Sequence, residues 1–145
     1  MKTFVGAVKF FRKFRQGGAA MCGAILLSLL VGNLLLKNLV ARDRPCWIDP
    51  DFLQLLVSVP KDFSFPSAHT MISVSAAAAL FHYSKALGIP ALVIAALVGF
   101  SRLYLFVHFP TDVLVGAVIG VLLAVVSCIV TDKIVARIKS KKAVN

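Results

Sequence analysis

Residues 113–131 read VLVGAVIGVLLAVVSCIVT, which is 19 consecutive positions without a charged side chain. A helix of about 20 apolar residues is long enough to cross the hydrocarbon core of a bilayer. The whole chain has 145 residues, is 59% hydrophobic and 15% charged, and has a mean hydropathy of +0.90. Soluble domains carry about 25% charged residues, so the composition predicts an all-α integral membrane protein.

Other apolar stretches lie on the N-terminal side of this run. Residues 18–36 carry no charge, and two further spans are predicted at about 66–84 and 90–107. With a last span at 110–132, the pattern predicts a bundle of about four transmembrane helices. Residues 1–16 mix basic residues with phenylalanines, which predicts an amphipathic segment at the membrane interface. A signal peptide fits less well, because the apolar run after it is long and lacks a small-residue cleavage site.

The loop between the first two predicted spans contains the sequence DFLQLLVSV at 51–59, which is too short to cross a bilayer. It is predicted to form a short helix on the membrane surface, with Trp47 at the interface. In the last span, Gly116 and Gly120 form a G-x-x-x-G pattern, which allows another helix to approach closely. One such pattern favours packing within the bundle over a dimer.

The distribution of basic residues predicts the orientation. The chain has 16 Lys and Arg and a formal net charge of +10. They lie mostly at the ends of apolar stretches, which indicates a membrane surface and no nucleic-acid partner. With both termini in the cytoplasm, eleven of the sixteen fall on the inner side and five on the outer side. Cytoplasmic loops favour Lys and Arg, so this orientation is the predicted one.

Three polar segments fall at the same outer level of this topology: residues 37–45, 65–69 and 101–112. They bring together cations, a serine hydroxyl, two imidazoles and a carboxylate. Fixed Arg and Lys donors stabilise the charge of a phosphoryl group in the transition state of its transfer. A helix that starts near Pro66 would also direct free backbone N–H groups at an anion.

His108 and Asp112 are four residues apart, with Pro110 between them as a predicted first-turn residue of the last span. Asp112 is therefore placed to reach one ring nitrogen of His108 and leave the other free to attack phosphorus. His69 is the candidate general acid for the leaving oxygen. The three segments together indicate phosphoryl transfer.

The segments resemble the three signature motifs of the type 2 phosphatidic acid phosphatase (PAP2) superfamily, which also contains vanadium-dependent haloperoxidases. The family patterns are K-x6-R-P, P-S-G-H and S-R-x5-H-x3-D, and they occur here in that order. The matching residues are Lys37, Arg44 and Pro45, then Pro66, Ser67 and His69, then Ser101, Arg102, His108 and Asp112.

The resemblance covers about residues 18–132 and implies a single PAP2-like membrane phosphatase domain over residues 1–145. It implies hydrolysis of a lipid phosphate or diphosphate through a phosphohistidine, with no metal and no cofactor. By the same resemblance the nucleophile is His108, the general acid His69 and the orienting group Asp112. The phosphate-binding residues that it implies are Lys37, Arg44, Ser67, Ala68 and Arg102.

The chain departs from the family pattern in two ways. Ala68 stands where the family usually has Gly, which keeps a backbone N–H but alters the approach of the substrate. Membrane members of the family typically have six spans, whereas four are predicted here. The two spans that usually precede the first motif are expected to be absent or reduced to the N-terminal segment. A lipid cleft that is open, or that a second copy completes in a homo-oligomer, is consistent with this size.

Several alternatives remain open at this point. The substrate is either a polyprenyl diphosphate or a glycerolipid phosphate such as phosphatidic acid or phosphatidylglycerol phosphate. A catalytically degenerate protein that binds or moves anionic lipid is the rival function, and the intact histidines and Asp112 speak against it. Hydropathy excludes a soluble haloperoxidase. Arg42 is interpreted as an interfacial cation whose side chain extends toward water, Ser101 as a packing hydroxyl, and His82 as remote from the site.

Overall fold

The structure, a computed structural model, describes residues 2–49 and 57–144 and contains helices but no strands within them. Helical stretches within three ranges are long and apolar enough to cross a membrane: Lys13–Ile48, Lys85–Tyr104 and Pro110–Lys141. The predicted all-α membrane bundle is therefore confirmed. The helices are α1 (Lys2–Ser28), a π-helical segment (Leu29–Leu36), α2 (Lys37–Val40), α3 (Pro45–Ile48), α4 (Ala68–Tyr83), α5 (Lys85–Tyr104) and α6 (Pro110–Val144).

The N-terminal helix is longer than the sequence predicted. α1, the π-helical segment and α2 follow one another without interruption from Lys2 to Val40, so residues 1–16 are continuous in one helix with the span predicted at 18–36. Gly17 and Gly18 lie at the junction of these two segments, where an isolated glycine pair weakens a helix without ending it. Gly17 also lies close to Tyr83, since a Cβ at that glycine would be 3.4 Å from Tyr83 Cβ.

The central helix α4 is shorter than the span predicted at 66–84. It has 16 residues, which at 1.5 Å per residue gives roughly 24 Å, against a hydrocarbon core of about 30 Å. It begins at Ala68 because Pro66 and Ser67 remain outside the helix, with Ser67 as the extended N-cap residue. The expectation of Pro66 as an early helical residue is wrong. The described bundle has three spanning helices, and α4 packs among α1, α5 and α6.

The G-x-x-x-G pattern of α6 is used inside the bundle, as predicted. A Cβ at Gly116 would lie 2.9 Å from the carbonyl oxygen of Ser67, and one at Gly120 would lie 2.6 Å from that of Met71. Both distances are too short for a side chain, so glycine at these positions lets the backbones of α4 and α6 approach closely. This contact fixes the end of α6 that carries Asp112 against the start of α4.

Small residues also form the core between α1, α4 and α6. Ala20, Ala24, Ala79, Ala124 and Cys128 make one buried cluster. Long apolar side chains point outward instead, among them Leu34, Leu97, Phe100 and Leu114. Small residues inside and large apolar residues outside are the arrangement expected for helices in lipid.

The remaining helix boundaries differ moderately from the predictions. α5 begins at Lys85 and includes Pro90 near its start, whereas the span was predicted to begin at Pro90. α6 begins at Pro110, as predicted, but runs to Val144 through the basic C-terminal residues.

The surface helix predicted at 51–59 falls largely on residues 51–56, which lie outside the described part of the chain, and residues 57–59 are not helical. Trp47 lies in α3, and its Nε1 donates a hydrogen bond to the carbonyl of Pro60.

Candidate active site

A cavity of about 350 Å³ opens at the end of the bundle where the three polar segments meet. Up-and-down topology brings them to one face, as the sequence predicted. The first segment contributes the end of the N-terminal helix and the chain after it, the second the start of α4, and the third the connection from α5 to α6. Six of the eight predicted site residues line this cavity: Lys37, Arg44, Ala68, His69, Arg102 and His108.

His108 is buried, with 4% of its surface exposed, and each ring nitrogen has a different environment. Nδ1 lies 3.3 Å from Oγ of Ser64 and 3.7 Å from Oδ2 of Asp112. Nε2 lies 3.3 Å from Nη1 of Arg44, a cation that also lines the cavity. A proton on Nδ1 would therefore face the hydroxyl and carboxylate, which leaves the lone pair of Nε2 on the cationic side.

Asp112 lies behind the cavity and is completely buried in the first turn of α6. Its Oδ2 accepts hydrogen bonds from the hydroxyl of Ser64 and from the backbone N–H of Phe109, the latter at 2.9 Å. Its Oδ1 accepts one from Nη1 of Arg42 at 2.8 Å. A buried carboxylate with this many donors has a fixed orientation.

Arg42 is one of the residues for which sequence reasoning proposed the wrong role. It does not extend freely into the interface: Nη1 also donates to Oγ1 of Thr111 at 2.7 Å, and the guanidinium lies 4.0 Å above the ring of Phe109. Arg42 and Asp112 are 70 positions apart in the chain, so no local pattern of the sequence indicated this contact.

Sequence reasoning missed two residues of the site entirely: Ser64 beside His108, and Asp62 beside Lys37 and Arg44. One carboxylate oxygen pairs with Nζ of Lys37, and the other accepts a hydrogen bond from Nη2 of Arg44 at 2.8 Å. Arg44 also holds the backbone of this segment, because its Nε donates to the carbonyl of Asp62 at 2.7 Å. The two cations belong to the first motif, and a carboxylate that bridges them has no counterpart in the three motif patterns.

Ala68 and His69, at the start of α4, line the cavity. Ser67 is the N-cap residue, but its side chain makes no capping hydrogen bond. Its Oγ is buried and lies 3.0 Å from Oγ1 of Thr70, so the structure does not bring this predicted phosphate ligand to the cavity. The backbone N–H of Ser67 donates to the carbonyl of Asp112 at 3.1 Å, which joins the second and third segments.

The last two predictions for polar side chains agree with the structure. Ser101 donates to the carbonyl of Val98 at 2.7 Å and accepts hydrogen bonds from Nε and Nη2 of the neighbouring Arg102, a local packing role. His82 lies at the opposite end of α4, where its Nε2 is 3.5 Å from Oδ2 of Asp132. It is therefore remote from the site.

The charges of the site set two protonation states. Burial and the charge of Arg44 together lower the pKa of His108 to about 4, although Asp112 opposes both. The imidazole is therefore neutral at pH 7 and can act as a nucleophile. Burial would raise the pKa of the Asp62 carboxyl, but the hydrogen bond from Lys37 and the charges of Lys37 and Arg44 outweigh it and hold the pKa below its usual value. Asp62 is therefore ionised at neutral pH.

Comparison with known proteins agrees with these motifs. The family model of the PAP2 superfamily matches residues 17–135. The chain belongs to the PAP2 superfamily. PAP2 relatives include the decaprenylphosphoryl-5-phosphoribose phosphatase of Mycobacterium tuberculosis, which is 35% identical over 118 residues, covering 81% of this chain and 63% of the relative. Another is phosphatidylglycerophosphatase B of Bacillus subtilis, 36% identical over 135 residues, with 83% and 61% covered.

The fold agrees with solved structures of the PAP2 superfamily. The crystal structure of LpxE from Aquifex aeolicus superimposes with a TM-score of 0.69 at 28% sequence identity, covering 88% of this chain and 77% of that one. The chain thus covers less than two thirds of the length of the two PAP2 relatives above and about three quarters of LpxE. Membership of the family and membrane character are established by these matches and by the apolar helices.

Proposed function

We propose that this protein hydrolyses a phosphomonoester or diphosphate of a membrane lipid through a phosphohistidine on His108. The observation that carries the proposal is that the two ring nitrogens of His108 face different groups. Nδ1 faces Ser64 and the buried Asp112, and Nε2 lies beside the cation Arg44 at the cavity. This arrangement fits a neutral imidazole that attacks from Nε2 while Asp112 stabilises the positive charge that develops on the ring.

The proposed reaction has two steps, with Lys37, Arg44 and Arg102 as the cations that hold the phosphoryl oxygens. First, Nε2 of His108 forms a bond to phosphorus while the bond to the lipid oxygen breaks, and His69 gives its proton to that oxygen. The leaving group is a lipid alcohol for a monoester and a lipid monophosphate for a diphosphate. Water then attacks phosphorus, His69 takes its proton, and inorganic phosphate leaves as His108 is restored.

We further propose that the backbone N–H groups at Ala68 and the first turn of α4 contribute to phosphate binding, since no side-chain cap occupies them. The buried Ser67 would contribute indirectly, by supporting this first turn through the contact of its Oγ with Oγ1 of Thr70. Ala68 is a buried residue that lines the cavity. No metal or cofactor enters this proposal.

The proposed location is the cell membrane, with both termini in the cytoplasm and the active site on the extracytoplasmic face. It rests on the excess of Lys and Arg on the predicted inner side. The proposed substrates are therefore lipids of the outer leaflet. One relative is named for a decaprenylphosphoryl substrate and another for phosphatidylglycerophosphate, so both the polyprenyl and the glycerolipid class stay candidates.

The test is release of inorganic phosphate by the protein purified in detergent. The panel contains a polyprenyl diphosphate, a polyprenyl monophosphate, phosphatidic acid and phosphatidylglycerol phosphate, with a His108→Ala protein as the control. Turnover of at least one lipid by the unmodified chain, lost in the control, is the expected result. Binding of these lipids without phosphate release would favour the rival function, a degenerate protein that binds or moves anionic lipid.

A further inference from the structure

The carboxylate of Asp62 occupies both cations of the first motif at once. Oδ1 pairs with Arg44 and Oδ2 with Lys37, so each oxygen has its own cation. Two oxygens of a phosphate group would bind the same pair in the same way, because Arg and Lys recognise carboxylate and phosphate by the same charge-assisted hydrogen bonds. From this geometry we infer that Asp62 is an internal competitor for the phosphate subsite, which weakens the binding of substrate and product phosphate alike.

The proposed competition requires only the side chain of Asp62 to move. Its backbone is held on both sides. The carbonyl of Asp62 accepts a hydrogen bond from Nε of Arg44, and the N–H of Ser64, two residues later, donates to the carbonyl of Arg42 at 2.8 Å. The side chain is 56% exposed, whereas those of Lys37 and Arg44 are 7% and 4% exposed. The two cations are thus fixed in the wall of the cavity, and the anion is the partner that is free to rotate.

The structure also offers a place for the displaced carboxylate. Asp62 lines the main cavity and a second one of about 340 Å³ beside it. The second cavity is lined by polar groups that suit a carboxylate, among them Lys61 and Asn38. Rotation of the Asp62 side chain from the first cavity toward the second would uncover Lys37 and Arg44 without separating any backbone contact.

This competition would act on the end of the reaction as well as on its start. The inference rests on the proposed function, in which inorganic phosphate is left among several cations after water attacks the phosphohistidine. Binding energy that substrate and transition state share lowers KM without accelerating the chemical step, and a tightly held product slows turnover. A tethered carboxylate that returns to the same cations is present at a high effective concentration, so it would help to expel the phosphate.

The experiment compares Asp62→Asn and Asp62→Ser with the unmodified chain. Both remove the charge, and Asp49→Asn is the matched control because it removes the same charge from an exposed residue nearby that does not line either cavity. Binding of vanadate is measured directly by vanadium NMR on the purified protein, and the inhibition constant of inorganic phosphate is measured with any lipid that the chain hydrolyses. Thermal melts of each variant establish that it is folded.

Both Asp62 variants should bind vanadate and phosphate about tenfold more tightly, the factor expected when two partly exposed ion pairs no longer compete. KM should fall in parallel, and Asp49→Asn should leave all three quantities unchanged. Equal or weaker anion binding in the folded Asp62 variants would overturn the inference, since it would mean that Asp62 supports Lys37 and Arg44. An equal effect of Asp49→Asn would also overturn it. Because vanadate binding needs no turnover, tighter binding in a chain without phosphatase activity would uphold this inference while the proposed function fails.

Discussion

Nη1 of Arg42 donates a hydrogen bond to Oδ1 of Asp112 at 2.8 Å, although the two residues are 70 positions apart in the chain. Asp112 is completely buried, and its other oxygen is held by Ser64 and by the backbone of Phe109. Arg42 therefore balances the charge of the carboxylate that lies beside His108. This relationship connects the segment after the first span to the third motif and gives Arg42 a positioning role in the proposed mechanism.

Arg42→Gln is expected to lower kcat by about ten- to a hundredfold, because a misplacement of roughly 1 Å at a reacting group has an effect of this size. KM should change little, since Lys37, Arg44 and Arg102 are untouched. Arg42→Lys should retain more activity because it keeps the charge. Steady-state kinetics of the purified variants provide the measurement, with Arg137→Gln on the exposed part of α6 as the control. A rise in KM with unchanged kcat would assign Arg42 to substrate binding instead.

The sequence predicted the helical membrane bundle and the meeting of the three motifs because both depend on signals local to the chain. Charge-free runs mark the spans, and alternating topology brings the motifs to one face. The contacts of Arg42, Ser64 and Asp62 could not be predicted in this way. Each joins positions that are 18 to 70 residues apart, and no periodic pattern relates them. Asp62 was identifiable only as a carboxylate close to the second motif.

The start of α4 shows the same limit on a smaller scale. Pro66 is compatible with the first turn of a helix, and the sequence alone favoured that position. In the structure Ser67 is instead extended, and its N–H is bound by the carbonyl of Asp112. A tertiary hydrogen bond therefore holds Ser67 in extended backbone, and the helix begins two residues later than predicted.

The proposed nucleophile is tested by substitution. His108→Ala should lower turnover by at least about a thousandfold, because no other group in the mechanism can form the bond to phosphorus. Asp112→Asn should lose less, since the imidazole remains but its orientation and charge balance are weakened. Phosphate release is the assay, and thermal melts show that each variant is folded. Near-normal turnover in His108→Ala would refute the phosphohistidine mechanism.

The low pKa of His108 can be measured directly. The chain has three histidines, so in a His69→Gln, His82→Gln double variant the only imidazole signals come from His108. Because the folded pKa lies near 4, the ring should stay neutral from pH 8 down to about pH 5 and become protonated only below that. Nitrogen NMR of the ring during a pH titration gives the midpoint. A midpoint at or above the ordinary value of about 6.5 would contradict the combined effect of burial and Arg44.

The mechanism predicts that activity does not depend on a divalent metal. Within residues 2–49 and 57–144, no group of three or more His, Cys, Asp or Glu side chains is arranged to hold a metal ion, and the cations of the proposed site are Lys and Arg. Phosphate release should therefore be unchanged in excess chelator. Vanadate should inhibit, because its trigonal-bipyramidal form resembles the transition state of phosphoryl transfer. Loss of activity on chelation that is restored by a divalent ion would show that a metal takes part.

The proposed orientation is tested by labelling with a membrane-impermeant thiol reagent in intact cells. Cys46 adjoins the first motif but is only 3% exposed, so it is a poor reporter, and all three native cysteines are first replaced. A single cysteine is then placed at Val59, which is 52% exposed in the segment before the second motif, or at Lys141 in the exposed end of α6. The protein with cysteine at Val59 should be labelled in intact cells, and the protein with cysteine at Lys141 only after lysis. This result is expected because eleven Lys and Arg lie on the predicted inner side. Of the five on the outer side, three are assigned to phosphate binding and Arg42 to positioning Asp112. The reverse labelling pattern would place the active site on the cytoplasmic face and move the candidate substrates to the inner leaflet.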